Sequence, residues 1–571
     1  MKLDISQYRR DSDIPLLQQT VDQIVIEISQ LLPNAEAVVS LPQKTRLSYK
    51  ELDTEVTLLA RSLLGIGVKK DAKVGIWSTN NLQWLLVQLA CARVGAVLVN
   101  INPAYTASEL AYALELAEVE ILFLIPEFRH SNYIEILLQL LPGATLYQTP
   151  ELHDPSLPRL RNLVLYDPEA PLATSRPAPG FLLWKDILEA GRSITDQELL
   201  LRQATLAAED PANIQFTSGT TGRPKAVVLS HHNIVNNAWF TAETMRFGNK
   251  DRLCVPVPFY HCFGTVLASL LCFCRGACLV IPSPHFDAED VLHAIETEKC
   301  TAVHGVPTMF IAELDHPNFS DYNLSSLRTG IMAGALCPPI LIKRVMEEMH
   351  CPEILIGYGE TEASPLTHLT EPDDTVLHRT ETVGRNLPHQ EVKVVDTANN
   401  EVVKPGITGE ICFRGYHLML GYYRNPEATA KAIDSAGWLH SGDLGIMDDE
   451  GYLRITGRLK DMIIRGGENI YPREIEECLY SHPQIADAAV FAVPDPYWGE
   501  EIAAWIKFHP GSETSFAELR NFLRSRLAHF KIPRFIKFVD TFPMTVTGKL
   551  QKYKMRKIAT EELSHDENDY G

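Results

Sequence analysis

Residues 216–225 place hydroxyls, glycines and two cations in one short segment, Phe-Thr-Ser-Gly-Thr-Thr-Gly-Arg-Pro-Lys. Hydroxyl groups can donate hydrogen bonds to phosphate oxygens, and glycines let backbone N–H groups approach a phosphate closely. Arg223 and Lys225 can neutralise the phosphate charge. The segment therefore predicts a phosphate-binding loop. Its candidate binding residues are Thr217, Ser218, Gly219, Thr220, Thr221, Gly222, Arg223, Pro224 and Lys225.

This loop differs from a Walker loop in the residues on either side of the lysine. A Walker lysine opens a helix whose N-terminus faces the phosphates. Here Pro224 precedes Lys225, and the apolar residues 226–229 are typical of a buried strand. We therefore expect a mobile loop between two strands. A Ser/Thr/Gly-rich surface turn is the alternative, and the two cations beside four hydroxyls favour phosphate binding over it.

A second polar segment comes after the apolar residues 354–356, which predict a strand. Ligands collect at the carboxyl ends of strands in an open parallel sheet, and Gly357 leaves room for one there. Tyr358 could stack on a purine, Thr361 could donate to a phosphate, and Glu362 offers the hard oxygen ligand that Mg²⁺ prefers. The alternative is a solvated acidic loop at the end of a strand.

Three further residues could serve the same ligand. Asp443 is expected to place a carboxylate in a tight turn, where it could accept hydrogen bonds from both ribose hydroxyls or simply cap that turn. Gly457 lies where the chain changes character and could act as a hinge. Lys549 comes after a glycine in a loop and could swing its cation towards an anion.

Length and composition exclude several classes of protein. A chain of 571 residues exceeds one hydrophobic core, so we expect two or more domains. The formal charge of -20 argues against nucleic acid as a partner, because a polyanion needs many cationic contacts. The eleven cysteines are scattered through apolar stretches, which indicates reduced thiols, and those at 272, 274 and 278 suggest a packed core rather than a metal site. No transmembrane helix or targeting segment is evident, so a cytoplasmic location is expected.

Strand and helix patterns alternate over most of the chain. A capping box at 48–51 begins a helix with one buried face, which Gly65 can end. Buried strands and helices then alternate as βαβ units to about residue 457, apart from a proline-rich stretch at 154–180 that we expect to be an irregular surface excursion. The chain after 458 has the pattern of a small α+β unit, with a helix predicted near 472–480 and a second capping box at 515–518.

Taken in order, the segments at 216–225, 357–362, 438–443, 457–460 and 543–549 resemble the motifs of the adenylate-forming superfamily. This superfamily unites acyl-CoA synthetases, luciferases and the adenylation domains of peptide synthetases. The resemblance implies an α/β fold: a large N-terminal α/β domain of several subdomains over 1–457, a hinge at 458–460 and a small mobile α+β lid over 461–571. It also implies two half reactions. A carboxylate attacks Mg·ATP to give acyl-AMP and pyrophosphate, and after rotation of the lid a thiol, usually that of CoA, displaces AMP.

The resemblance also implies roles for single residues. The loop at 217–225 and Thr361 would bind the phosphates, Glu362 the Mg²⁺, and Asp443 and Arg458 the ribose. Lys549 would be the adenylation lysine. The remaining implied nucleotide-site, hinge and pantetheine-tunnel residues are Gly334, Ala335, Gly357, Tyr358, Lys460, Gly466 and Gly467.

His261 matches the family's aromatic or histidine gate beside the acid, although a buried structural histidine would look the same. No Asp or Glu occurs from Arg252 through Phe286, whereas amino-acid-activating relatives place an aspartate there, so the acid is expected to have an uncharged tail. The candidate apolar or small wall residues are Trp239, Val306, Met309, Gly334 and Ala335.

The motifs look most like the medium-chain branch, which implies a fatty acid:CoA ligase that uses ATP, Mg²⁺ and CoA. An acyl-AMP ligase that loads a carrier protein and an inactive nucleotide-binding relative are the alternatives. A monomer or homodimer, and peripheral contact with a membrane, both stay open.

Overall fold

The computed structural model describes residues 2–142, 152–169, 181–217, 224–465, 468–544 and 550–568. The predicted loop residues Ser218–Arg223, the tunnel residues Gly466 and Gly467, and Lys549 therefore lie outside the described residues. Within the described ranges, no helix combines the length and the apolar composition that a membrane crossing requires.

The first sheet is parallel along most of its width and carries the start of the predicted phosphate loop. Its last two strand pairs, which include the hairpin around that loop, are antiparallel. Residues 226–229 form a buried strand as predicted. In spatial order the strands are Phe181–Leu183, Asn162–Leu165, Ile121–Leu124, Lys73–Trp77, Val97–Ile101, Pro211–Thr217, Lys225–Ser230 and Gly421–Tyr422.

The strand Asn162–Leu165 corrects one prediction. The stretch 154–180 was expected to be an irregular surface excursion, yet these four residues are buried between two parallel neighbours of the first sheet. The physical reason is the apolar run Leu163, Val164 and Leu165, which favours a buried strand even though prolines surround it in the sequence.

The second sheet has the same parallel centre with antiparallel edges. Its strand Glu353–Gly359 is longer than predicted and runs through Tyr358 before the short 3₁₀ turn Thr361–Ala363. In spatial order the strands are Arg385–Asn386, Leu366–Leu369, Glu353–Gly359, Thr329–Met332, Ala302–Gly305, Arg252–Cys254, Cys278–Ile281, Glu36–Ser40 and Thr45–Ser48.

Helices cover these two parallel sheets, and local signals set many of their ends. Ser48 and Glu51 form the predicted capping box of the helix Tyr49–Gly65. The α-helices of this part of the chain are Val21–Leu31, Tyr49–Gly65, Leu82–Val94, Ala107–Leu116, Tyr133–Leu140, Trp184–Ala190, Asp196–Gln203, His231–Thr244, Cys262–Gly264, Leu271–Arg275, Ala288–Glu298, Pro307–Leu314, Pro339–Glu347, Val376–Glu381 and Pro426–Ala432. A π-helix occupies Thr265–Leu270, and 3₁₀ turns occupy Gly191–Ser193, Phe319–Asp321 and Thr361–Ala363.

The cysteines near the π-helix are buried and unpaired, as expected of a packed core. The Tyr49 hydroxyl donates to the Ala277 carbonyl at 2.7 Å among them.

The third sheet is antiparallel and leads to the C-terminal region. Its strands are, in spatial order, Gln7–Arg9, Gln390–Val395, Thr408–Gly415, Leu439–Met447 and Leu453–Arg458. A small hairpin, Glu127–Phe128 with Ser131–Asn132, stands apart from the three sheets.

The C-terminal region forms a separate small domain with hydrophobic cores of its own. The predicted helix at Pro472–Tyr480 and the capping box at Ser515 are both present. Its strands are Ile463–Arg465, Glu468–Ile470, Ile485–Asp495, Gly499–Phe508 and Phe535–Phe538, and its helices are Pro472–Tyr480, Phe516–Arg524 and Lys552–Asn568 with 3₁₀ turns at Leu459–Asp461 and His529–Lys531.

Candidate active site

The phosphate loop is framed by a β-hairpin of the first sheet. Thr217 ends one strand and is the cross-strand partner of Lys225, which begins the next. The Tyr112 hydroxyl donates to the Pro224 carbonyl at 3.2 Å and so ties the described end of the loop to a neighbouring helix. The two strands expected on either side of the loop are therefore present, and the residues between them lie outside the described ranges.

Lys225 and Glu362 are brought together by Tyr422. The Lys225 Nζ lies 4.0 Å from the centroid of the Tyr422 ring, a distance typical of a cation–π contact. The Tyr422 hydroxyl donates to Glu362 Oε1 at 2.8 Å. Burial and the Glu362 charge raise the pKa of Tyr422, which keeps the hydroxyl protonated as a donor. The Lys225 cation and the Glu362 carboxylate therefore contact the same side chain, the first at the ring and the second at the hydroxyl.

Thr361 connects this group to His261. Cys262 Sγ lies 3.6 Å from Thr361 Oγ1 and 3.6 Å from His261 Nδ1. The Phe263 amide also donates to His261 Nδ1 at 3.2 Å, so the imidazole caps the short helix Cys262–Gly264 and its ring is held in place. The predicted acid-side histidine and the predicted phosphate-side threonine are thus separated by one cysteine side chain.

Asp443 lies between an aromatic hydroxyl and a cation. The Tyr358 hydroxyl donates to Asp443 Oδ2 at 2.8 Å, and Arg458 Nε lies 3.0 Å from Asp443 Oδ1. The charge of Asp443 raises the pKa of Arg458. The Asp443 side chain is 11% exposed and that of Arg458 is 55% exposed, so the pair sits at the mouth of the site.

The placement of Asp443 in a tight turn was wrong. It lies inside the strand Leu439–Met447, as the cross-strand partner of Arg458. The preceding Gly442 has a φ of +68°, a left-handed conformation that favours glycine, and the pairing register shifts nearby on both sides. An irregular strand therefore presents the carboxylate that a turn was expected to present.

Glu360 was not among the candidate site residues, and only the alternative interpretation of this segment made its acids solvated. Its Oε1 is buried and has no hydrogen-bond partner in the part of the chain that the structure describes. Burial, and then the neighbouring charge of Glu362, raise the pKa of Glu360, whereas the charges of Arg458 and Lys225 oppose that rise. A second carboxyl group therefore stands beside Glu362.

The side chains around Glu362 suit the metal that the family implies. Glu362 provides a carboxylate, and Thr361 and Tyr422 add hydroxyl oxygens close by. The donor atoms of these three side chains are all oxygens, and hard oxygen donors are the ligands that Mg²⁺ takes from proteins. Glu362 is the residue that would hold the ion.

A chain of buried amides joins the acid side to the phosphate loop. Asn100 Nδ2 donates to Thr265 Oγ1 at 2.8 Å and to the Tyr260 carbonyl at 3.1 Å, beside His261. Asn213 Nδ2 donates to Asn100 Oδ1 at 3.0 Å, and Gln215 Nε2 donates to Asn213 Oδ1 at 2.7 Å. Since Gln215 lies on the strand that leads to the predicted phosphate loop, these amides link that strand to the backbone beside His261.

The predicted acyl-wall residues divide into two groups. Val306 and Met309 are buried at the start of the helix Pro307–Leu314, and a Cβ on Gly334 would meet Val306 Cγ1 at 3.2 Å. Gly334 and Ala335 are exposed at this end of the second sheet. Trp239 instead lies under the guanidinium of Arg275, whose Cζ is 4.6 Å from the ring centroid.

Lys460, the predicted hinge lysine, lies in the exposed 3₁₀ turn Leu459–Asp461 between the third sheet and the small domain. Nearby, Arg454 of the third sheet forms an ion pair with Glu477 of the small domain at 2.8 Å. The described part of the chain thus places a short exposed connection next to one polar contact between the two domains.

Comparison with known proteins identifies the family of this chain. The profile of the AMP-binding enzyme family matches residues 28–423, and that of the AMP-binding enzyme C-terminal domain matches 474–549. The chain is 45% identical over 546 residues to the acyl-CoA synthetase candidate YngI of Bacillus subtilis (strain 168), covering 96% of this chain and 98% of that protein. It is 39% identical over 564 residues to the mitochondrial medium-chain acyl-CoA ligase ACSF2 of Rattus norvegicus, covering 98% and 90%.

A solved structure gives the same result for the fold. The anthranilate CoA ligase AuaEII, in complex with anthranoyl-AMP, superposes with a TM-score of 0.83 at 25% identity, covering 97% of this chain and 99% of that one. The family profiles and the relatives both extend over most of the sequence. This chain belongs to the AMP-binding enzyme family.

Proposed function

We propose that this protein is an ATP-dependent ligase that joins a medium-chain fatty acid to CoA and releases AMP and pyrophosphate. One observation carries the proposal: the contacts Lys225–Tyr422–Glu362 and Tyr358–Asp443–Arg458 meet at the end of one strand, Glu353–Gly359. The first group suits phosphates and the second suits a ribose. A nucleotide that spans both has its phosphates next to Thr361 and His261, where the acid would enter.

The first half reaction joins the acid to the nucleotide. A carboxylate oxygen of the acid forms a bond to the α-phosphorus of ATP while the bond from that phosphorus to pyrophosphate breaks. Negative charge moves towards the departing pyrophosphate, and the Lys225 cation lies where it stabilises that charge. Mg²⁺, when bound, neutralises phosphate charge at the same place. Asp443 accepts hydrogen bonds from the ribose and so orients the phosphates.

The second half reaction transfers the acyl group. The sulfur of CoA bonds to the acyl carbon, the bond from that carbon to AMP breaks, and the thiol proton is released. The buried amides Asn100, Asn213 and Gln215 support both steps, because they hold the acid side and the phosphate side at one separation.

We further propose that the domains are 1–457 and 461–571, and that 458–460 is a hinge about which the small domain rotates between the two steps. Lys549 belongs to the small domain and would enter for adenylation and leave afterwards. The ion pair Arg454–Glu477 supports such a motion, since its side chains are 47% and 31% exposed. An exposed pair of this kind contributes about 0–1 kcal/mol and hinders rotation little.

The substrate class rests on the relatives and on the apolar side chains. The rat relative is named a medium-chain acyl-CoA ligase. Val306 and Met309 are buried and uncharged, as the wall of an apolar acyl pocket would be. For the location we propose the cytoplasm, which is supported by eleven cysteines that form no disulfide, although the rat relative is named mitochondrial.

Pyrophosphate release tests the proposal. Purified protein is given ATP, Mg²⁺ and one straight-chain acid from acetate through octanoate to palmitate, with and without CoA. We expect turnover to peak at octanoate-like lengths, with AMP and acyl-CoA as products only when CoA is present. AMP release that ignores CoA and requires a carrier protein would move the assignment to carrier loading. ATP binding without pyrophosphate release for every acid would refute an enzymatic role.

A further inference from the structure

Side chains that commonly bind transition metals lie together on the third sheet, and one of them, His440, comes three residues before Asp443 on the strand Leu439–Met447. They are Glu410, Cys412 and His440, and their ligand atoms all lie within 4.8 Å of one another. His440 Nδ1 is 2.9 Å from Glu410 Oε2 and 3.5 Å from Cys412 Sγ. Cys412 and His440 are cross-strand partners, so two paired strands hold them in this arrangement.

The distances are close to those around one tetrahedral zinc ion. Zinc lies about 2.0–2.3 Å from nitrogen, oxygen and sulfur ligands, which places the ligand atoms about 3.3–3.6 Å apart. The separation of 3.5 Å between Cys412 and His440 already fits. That of 2.9 Å between His440 and Glu410 has to widen by a few tenths of an ångström, while the other Glu410 oxygen, Oε1, accepts the Gly442 amide at 3.1 Å.

A second carboxylate is placed as zinc sites use one. Asp434 Oδ2 lies 3.7 Å from His440 Nε2, on the side of the ring away from Cys412. Its other oxygen accepts the amides of Ala436 and Trp438 at 2.9 Å each, which fixes the carboxylate. A histidine ligand usually donates its second ring N–H to such a group.

Solvent access to the cluster and the chemistry of its donor atoms both suit a zinc ion. The side chains of His440 and Glu410 are 22% and 14% exposed, so an ion and a water can reach them from solvent. A thiolate beside an imidazole selects zinc-like ions over Mg²⁺. This donor set is therefore distinct in chemistry from the carboxylate and hydroxyl oxygens proposed for Mg²⁺ at Glu362.

We propose that Glu410 Oε2, Cys412 Sγ and His440 Nδ1 bind one zinc ion, with water as the fourth ligand and Asp434 accepting the His440 Nε2–H. On binding, the thiol proton of Cys412 leaves and the imidazole proton moves from Nδ1 to Nε2, so one proton is released. Without the metal, the same groups are joined by hydrogen bonds.

Two measurements on the full-length protein, stripped of metal, test this site. Co²⁺ replaces Zn²⁺ as a spectroscopic probe, and a near-ultraviolet thiolate-to-cobalt band is expected only if Cys412 ligates. Calorimetric titration with Zn²⁺ in two buffers of different ionisation enthalpy counts the protons released. We expect a single saturable ion per chain, one proton released, and the cobalt band.

Matched variants locate the site. Cys412→Ser and His440→Gln should remove the cobalt band and saturable zinc binding. Asp434→Asn should weaken zinc binding about 10- to 100-fold while leaving the band in place. Cys478→Ser is the control, because Cys478 is the one cysteine that is not fully buried and lies in the small domain. Circular dichroism checks that each variant is folded.

The proposal is overturned if the wild-type protein binds no zinc saturably or gives cobalt spectra without a thiolate band. It is also overturned if Cys478→Ser, rather than Cys412→Ser, removes the band. The wild-type spectrum and proton count decide the matter even if a variant fails to fold. The site does not depend on the ligase assignment, so pyrophosphate release bears on one and zinc titration on the other.

Discussion

Glu313 provides a test of how burial affects a carboxyl group on the helix that carries the predicted acyl-wall residue Met309. Its side chain is 1% exposed in the helix Pro307–Leu314, which also carries Met309. Its Oε2 has no hydrogen-bond partner among the described residues. Burial raises the pKa of Glu313 from 4.5 to about 8. The carboxyl group is therefore protonated in the folded protein at neutral pH, and Glu313→Gln should mimic that state.

The sign of the pH dependence is set by this shift. Between about pH 4.5 and 8 the folded state holds a proton that the unfolded state has lost, so the free energy of unfolding falls as pH rises. Each pH unit costs about 1.4 kcal/mol, which makes about 3 kcal/mol between about pH 6 and 8 and about 5 kcal/mol over the whole window. The glutamine side chain does not titrate, so Glu313→Gln loses none of this free energy of unfolding as pH rises.

Urea unfolding of the large domain, followed at several pH values, measures the effect. We expect the free energy of unfolding of Glu313→Gln relative to wild type to rise by about 3 kcal/mol from about pH 6 to 8. Glu347→Gln, at an exposed position of the helix Pro339–Glu347, is the control and should show no such trend. A difference between Glu313→Gln and wild type that stays constant with pH would refute the burial argument.

Three further predictions concern the reaction. Lys549→Ala should slow acyl-AMP formation by about 10²–10³-fold, because a preorganised donor to developing charge is worth about that much, yet spare thioester formation from supplied acyl-AMP; equal losses in both assays contradict the lid role. Lys460→Pro should hold the small domain in one orientation and separate the half reactions, and unchanged rates for both would show that the hinge lies elsewhere. Asp443→Asn should raise the KM for ATP about 10- to 100-fold, as expected for a charged hydrogen bond, with little change in the KM for octanoate; a matched rise in both would argue against ribose binding.

Signals that are local in sequence predicted much of the fold. The capping boxes at Ser48 and Ser515 start helices where expected, because each is a contact between residues three apart. The apolar run after Lys225 forms the expected strand, because its burial depends on its own composition. These features need no knowledge of the remote chain.

Contacts between distant residues could not be predicted in the same way. Tyr422 meets Glu362 across 60 residues and Cys262 meets Thr361 across 99, so neither partner has a nearby mark in the sequence. Asp443 was assigned to a turn because Gly442 precedes it, whereas the partner strand that straightens the segment begins at Leu453. Only the folded sheet determines which of these side chains converge.

The amide chain of Asn100, Asn213 and Gln215 belongs to a different part of the fold from the predicted acyl-wall residues. These residues lie on strands of the first sheet, whereas Val306 and Met309 adjoin the helix Pro307–Leu314 beside the second. If Val306 and Met309 line the acyl pocket as proposed, substitutions there should change which acid binds without disturbing the proposed nucleotide site. Related enzymes could therefore differ in the acid that they accept while they share one mode of ATP binding.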